Sequence, residues 1–263
     1  MTYHDITRFV KRALMRRKVE SAGLVLAAAL AAGGLVATGS SSPSSVLSPS
    51  AQYVAAAVAD EDLKPLENDV AWDLANLDHS RVDSWVRRFT SDLKRGLTVY
   101  LERMDKYEPM IKQKLAQRDM PQDLIYLAMI ESGFNPKARS PAAASGLWQF
   151  IGETGRRYGL TVNRRVDERN DPAKATDAAL SYLSDLHDRF GSWYLAAAAY
   201  NTGEGRVGRI MRQVTGSERG TDADYYRIAN RLPRETREYV PKLIAAARIA
   251  KEPDKYGFVE PAS

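Results

Sequence analysis

Few residues in this chain can do chemistry, and composition narrows the choice. There is no cysteine, so thiolate catalysis, disulfides and cysteine-held metals are excluded. Three histidines occur, His4, His79 and His187. The first falls in an export segment and the second in a loop. The third lies on a helix among charged neighbours and reads as solvated. Such a set gives no support to a zinc site or a Ser/His/Asp triad. Carboxylate, tyrosine and amide chemistry remain. The sharpest candidate is Glu131, inside the stretch LIYLAMIESGFNPKARSPAAASGLWQF that spans residues 124–150. Leu124, Leu127, Ala128 and Glu131 stand at i, i+3, i+4 and i+7, so one helical face sets a carboxylate on an apolar surface. Ser132 and Gly133 break that helix directly afterwards, and the macrodipole at a helix C-terminus opposes negative charge. Desolvation and dipole both favour the protonated form, which suits a carboxyl group to act as an acid near neutral pH. The same residue also reads as a solvated glutamate at a helix end, and spacing alone does not decide between the two.

The elements that must position Glu131 are helical. Ser80 reads as the cap of a helix carrying Val82, Trp85, Val86, Phe89 and Leu93, stopped at Gly96. Leu97, Tyr100, Leu101, Met104, Ile111 and Leu115 give the next helix, and Pro121 opens the short one that ends at Glu131. A polar loop leads to Gly146-Leu147-Trp148-Gln149-Phe150, where Trp148 reads as a packing residue. A short helix over 152–158 follows. Asp171-Pro172 reads as cap and first residue of a helix carrying Ala179, Tyr182, Leu183, Leu186 and Phe190, which Gly191 stops. Trp193 to Tyr200 is alanine-rich and suited to close burial. Tyr239, Val240, Leu243, Ile244 and Ala247 mark a last helix. No convincing alternating strand and no internal repeat occur, so the expected fold class is all-α.

The net charge of +5 is mostly local. Residues 1–39 carry six of the basic side chains (Arg8, Lys11, Arg12, Arg16, Arg17, Lys18) against Asp5 and Glu20. The rest is close to neutral, so no nucleic-acid footprint is expected. The run 22–37 is apolar, follows the basic cluster and precedes small residues, which reads as a cleaved signal peptide or an uncleaved signal anchor. Residues 40–60 are a Ser/Pro/Ala-rich linker. Residues 203–208 match G-x-G-x-x-G, but the preceding segment is an alanine-rich helix rather than a strand, so the match reads as a flexible turn beside the cleft and not as a dinucleotide site.

The combination of motifs resembles the lytic transglycosylases of the goose-lysozyme-like superfamily, most of all the membrane-bound D type. The matching pieces are Glu131-Ser132-Gly133-Phe134-Asn135-Pro136, Ser140, Gly146-Leu147-Trp148-Gln149-Phe150, Val166-Asp167-Glu168-Arg169, Asp171-Pro172, Ala199-Tyr200-Asn201-Thr202-Gly203 and the run from Leu232 to Pro241. The resemblance covers about residues 97–258. It implies a lysozyme-like helical domain over 97–260 with a glycan-binding cleft, preceded by a helical extension over 61–96. It implies cleavage of the β-1,4 bond between N-acetylmuramic acid and N-acetylglucosamine in peptidoglycan, leaving 1,6-anhydromuramoyl ends, with Glu131 as acid and then base. No cofactor and no metal are implied. By the same resemblance, Ser140 and Gln149 hydrogen-bond the substrate and the Gly146-Leu147 backbone lines the cleft. Tyr200 lies near Glu131, Asn201 contacts the sugar or fixes its loop, and Glu235 and Tyr239 line the groove.

The alternatives are a hydrolytic muramidase of the same fold and a non-catalytic peptidoglycan-binding envelope protein. Expected partners are peptidoglycan glycan strands, a single N-terminal membrane anchor if the segment is retained, and envelope protein partners. The expected location is the bacterial cell envelope, periplasmic or anchored to the outer face of the cytoplasmic membrane. No C-terminal peptidoglycan-binding repeat is expected.

Overall fold

In a computed structural model, the structure describes residues 70–258. The export or anchor segment (1–39) and the linker (40–60) lie outside the described residues. Helices α1 (Ser80–Thr90), α2 (Lys94–Ala116), α3 (Ile125–Ser132), α4 (Gly152–Arg157), α5 (Pro172–Phe190), α6 (Trp193–Thr202), α7 (Glu204–Thr215), α8 (Asp222–Ala229) and α9 (Arg234–Lys251) are joined by loops and short 3-10 turns, with no strand among the described residues. The all-α expectation holds. None of these helices is long and apolar enough to cross a membrane.

The apolar pattern decides the layers. In α3 every residue from Ile125 to Ile130 is buried, which marks a helix enclosed on all sides. In α6 the run Tyr194–Ala199 is buried as well. Its alanines carry little bulk, so α5, α7 and α9 approach it closely. Helix α9 packs on α1, α3 and α6. Pro241 sits inside α9 without breaking it. A proline there leaves the Arg237 carbonyl without its intrahelical donor, and the Tyr225 hydroxyl donates to that carbonyl at 2.8 Å.

The helix ends follow the sequence in most places. Asp171 accepts from the Ala173 and Lys174 N–H groups with Pro172 first in α5, and Gly191 closes it at φ +71°. Ser192 then caps α6. Two expectations fail near the start of the described region. His79, not Ser80, caps α1, and the chain breaks at 91–93 rather than at Gly96. Gly96 lies in the first turn of α2, where nothing crowds it. The expected turn at 203–208 is also corrected: only Gly203 is a turn residue (φ +93°), and Glu204 onward forms α7.

The described part of the 61–96 segment is knitted into the helices behind it. The Arg248 guanidinium, buried on α9, donates to Asn76 Oδ1 at 2.8 Å and to the Leu77 carbonyl at 3.2 Å. Asp123 accepts from the Asp73 and Leu74 N–H groups and pairs with Lys251 at 2.6 Å.

Candidate active site

Glu131 is the penultimate residue of α3, and Gly133 ends that helix in the left-handed conformation at φ +59°. A Cβ at Gly133 would strike the Tyr100 ring, so glycine is required there both by conformation and by space. The chain then runs into the loop that carries most of the other candidates.

That loop is held by buried hydrogen bonds. The Ser132 hydroxyl donates to the Leu147 carbonyl at 2.8 Å. Gly146 has φ +85°, and a Cβ built on it would lie 1.7 Å from the Arg169 carbonyl oxygen. The Arg169 guanidinium is itself 8% exposed. It donates to the Ala143 and Phe150 carbonyls at 2.8 and 2.9 Å and forks onto both oxygens of Asp167. Its hydrogen bonds, and then its charge, hold the Asp167 carboxyl below the usual carboxylate range. Trp148 is fully buried, and its indole N–H donates to Thr176 Oγ1 at 2.9 Å. The packing role read for it stands.

Of the loop candidates, Ser140 Oγ accepts from the Ala144 N–H at 3.1 Å. Gln149, at φ +48°, donates its amide to the Gly146 and Ala138 carbonyls at 2.8 and 3.2 Å. Its Oε1 is buried without a partner among the described residues. Leu147 is buried in full, with its side chain in the core and its carbonyl taken by the Ser132 hydroxyl.

Helices α6 and α9 meet Glu131 from the other direction. The Tyr239 hydroxyl donates to Glu131 Oε1 at 2.6 Å. Tyr200 donates to the Trp148 carbonyl at 2.7 Å, which ties α6 to the loop, and its ring lies 5.2 Å from that of Tyr182. Asn201 Oδ1 accepts from the Thr236 hydroxyl at 2.8 Å. Glu235 is exposed one turn before Tyr239. The structure thus brings Glu131, Tyr200 and Tyr239 together, with the loop group beside them through Trp148.

Lys242 was not apparent in the sequence. Its ammonium donates to the Ile130 carbonyl at 2.9 Å and lies 5.9 Å from the Trp85 ring. A signal was present: Glu235, Tyr239 and Lys242 stand at i, i+4 and i+7, one face of α9. His187 also differs from the reading. It stacks on Trp193 at 4.0 Å, half-buried, and burial lowers its proton affinity.

The electrostatics centre on Glu131. Burial pushes its carboxyl up to about 7 from 4.5, opposed by the Tyr239 hydrogen bond and the Lys242 charge and assisted by the like charge of Glu235. Burial lowers the proton affinity of Lys242, while Glu131 and Glu235 raise it. These signs give a test by carbon-detected NMR of the Glu131 carboxyl. Lys242→Met and Tyr239→Phe each remove a stabiliser of the carboxylate, so the titration midpoint moves up, by roughly half a unit or more. Glu235→Gln removes a like charge and moves it down, by less because that group is exposed. A midpoint that ignored Lys242→Met would place the ammonium outside the electrostatics of the site.

Residues 108–222 match the family described as Transglycosylase SLT domain. The match contains Glu131 and the loop but stops before Glu235, Tyr239 and Lys242. The chain is 42% identical over 156 residues to membrane-bound lytic murein transglycosylase D of Escherichia coli, covering 59% of this chain and 34% of that protein. It is 38% identical over 113 residues to a putative tributyltin chloride resistance protein of Alteromonas, covering 43% and 55%. Among solved structures it matches an inactive glutamate-to-glutamine mutant of lytic transglycosylase Slt from Pseudomonas aeruginosa with TM-score 0.44 and 27% identity, covering 58% of this chain and 25% of that one. The chain spans between about a third and about a half of the length of these two curated relatives.

Proposed function

We propose that this chain, whose residues 108–222 match the transglycosylase SLT domain, is a peptidoglycan lytic transglycosylase of the bacterial envelope. The observation that carries the reading is the Glu131–Tyr239 pair. It sets one carboxyl group, with proton affinity near neutrality, between a rigid loop and the last helix.

The proposed substrate is the β-1,4 bond between N-acetylmuramic acid and N-acetylglucosamine. Glu131 starts protonated and gives its proton to the glycosidic oxygen as the bond to the anomeric carbon breaks. The C6 hydroxyl of the same muramic acid then attacks that carbon and returns its proton to Glu131. A 1,6-anhydro end forms, no water is consumed, and the enzyme is restored to its starting state. The held hydroxyl replaces an activated water through proximity, so no second carboxylate is required at a defined separation. During the ionised interval the Tyr239 hydroxyl and the Lys242 ammonium steady the carboxylate. An environment that is costly for the anion at rest but supplies these two partners lets one group both give and take a proton.

The remaining candidates fit supporting roles. Ser140 and the partly exposed Gln149 side chain are read as polar contacts to the sugar, with the buried Gly146-Leu147 segment supporting the adjoining wall. Tyr200 orders the loop through Trp148. Asn201 is fixed by Thr236 at the mouth of the cleft, beside the exposed Glu235. The apolar run of residues 22–37 would carry the chain across the cytoplasmic membrane or hold it at the outer face, where glycan strands and envelope protein partners are found.

A hydrolytic muramidase would use the same Glu131, and its products differ. Digestion of purified sacculi followed by mass spectrometry is expected to give muropeptides one water lighter than hydrolysed ones. Reducing muramic acid ends alone would favour the muramidase.

A further inference from the structure

The Asn201–Thr236 hydrogen bond joins the end of α6 to the start of α9. Just beyond Asn201 and just before Thr236, the chain forms an open groove of about 550 Å³, lined by Arg206, Arg209 and Gln213 of α7 and by Arg231, Leu232 and Pro233 ahead of α9. Arg206, Arg209 and Gln213 stand at i, i+3 and i+7, so they share one face of α7. No acidic side chain lines the groove.

Its arginines keep their charge unpaired, unlike three others on and around α7. Arg212 and Arg189 pair with Glu218, and Arg157 pairs with Glu204. Among the described residues, Arg209 and Arg231 have no ion pair, and Arg206 reaches only the Thr202 hydroxyl at 3.4 Å. Three guanidinium groups without an ion pair converge on one concavity that no acidic side chain lines. Guanidinium forks suit planar carboxylates in bidentate contact. Arg206 also belongs to the glycine-rich motif at 203–208, which the catalytic reading leaves without a role.

We propose that this groove receives the carboxylates of the peptide stem borne by N-acetylmuramic acid, so that the enzyme prefers peptide-bearing strands to bare glycan. The proposal rests on the transglycosylase reading of the Glu131 site. Pro233 caps α9 and Tyr239 follows six residues later, roughly 9 Å along the helix axis at 1.5 Å per residue. The Tyr239 hydroxyl touches Glu131. The near edge of the groove is therefore about three extended peptide residues from the helix position that meets Glu131, within reach of a short stem, since an extended peptide covers roughly 3.3 Å per residue. Ile210 and Leu232 add an apolar floor for the stem's methyl groups.

The test compares the wild type with a variant carrying Arg206→Gln, Arg209→Gln and Arg231→Gln. Substrates are peptide-bearing strands and the same strands stripped of peptide by an amidase. Circular dichroism checks the fold. On peptide-bearing strands the variant is expected to show roughly a tenfold higher KM at unchanged kcat, an effect that shrinks with added salt. On stripped strands the two proteins should match. Equal kinetics on peptide-bearing strands would overturn the proposal, as would an equal loss on both substrates. Calorimetric titration with a soluble acidic stem peptide reads the groove without cleavage: the wild type binds and the variant does not. A wild type that binds the peptide but cuts neither strand would refute the transglycosylase reading and not the groove. Binding to anionic phospholipid vesicles through these arginines, with no binding of the peptide, would overturn the assignment of the ligand.

Discussion

Glu131→Gln is expected to lower sacculus cleavage by a factor of roughly 10²–10⁴, the usual contribution of a positioned general acid, or below detection if no other group substitutes. Gln keeps the shape of the side chain and can still accept from the Tyr239 hydroxyl, so helicity and glycan binding should persist. The same variant should also alter stability in a pH-dependent way. Burial raises the Glu131 proton affinity from 4.5 to about 7, so the folded state holds this proton more tightly than the unfolded chain does. Stability is fully present below about pH 4.5, declines as pH rises through the window between the two values, and carries the whole cost above about 7. That cost is roughly 1–3 kcal/mol, allowing for the partial exposure of the group. Gln does not titrate. Thermal melts at pH 8 should therefore show the variant more stable than the wild type, with the gap closing near pH 4. A variant as active as the wild type would remove Glu131 from the mechanism. An unchanged stability gap across that range would remove the argument from burial.

Gly146→Ala should be the most destructive single-methyl change in the loop. The new Cβ would sit 1.7 Å from the Arg169 carbonyl oxygen, a backbone atom of a residue whose side chain is anchored on Asp167. The φ of +85° adds strain for any L side chain. Relief requires the loop to leave Arg169, which frees the Ala143 and Phe150 carbonyls from their buried donor. A loss of about 3 kcal/mol or more is expected, or a fall of roughly 10 °C in melting temperature for a domain of this size. Gly159→Ala is the control. Its φ of +84° is almost the same, yet nothing lies within 4 Å of the added methyl. It should cost only about 1–2 kcal/mol, the left-handed penalty alone. Equal melts for the two variants would show that strain, and not the contact with Arg169, governs position 146. Activity should follow the loop: Gly146→Ala is expected to be nearly inactive and Gly159→Ala close to the wild type.

Local signals carried much of the fold into the sequence. The Asp171-Pro172 start and Gly191 stop of α5 depend on caps within a few residues, and both appear as expected. The helical spacing of Leu124, Leu127 and Ala128 also placed Glu131 on the apolar face of α3. Where local signals were weak or overridden, the sequence misled. Gly96 reads as a stop, but the packing of Leu97 and the residues after it carries helix through it, at a cost that tertiary contacts offset. His187 reads as a charged-face residue because its stacking partner, Trp193, follows a chain reversal at Gly191. The Arg169 cluster joins positions 19 and 26 residues apart, and no periodicity announces such a contact. Lys242 meets Ile130 across 112 residues. Only its spacing from Tyr239 hinted at it, and that spacing gains meaning once Tyr239 is known to face Glu131.

The central claim is that the C6 hydroxyl of the substrate, and not water, attacks the anomeric carbon while Glu131 alone moves the proton. Digestion of sacculi in heavy-oxygen water, followed by mass spectrometry of the released muramic acid ends, tests it directly. The account predicts anhydro ends with no heavy oxygen incorporated by the enzyme, and no such ends from Glu131→Gln. Reducing ends carrying one heavy oxygen at the cleaved carbon would contradict it.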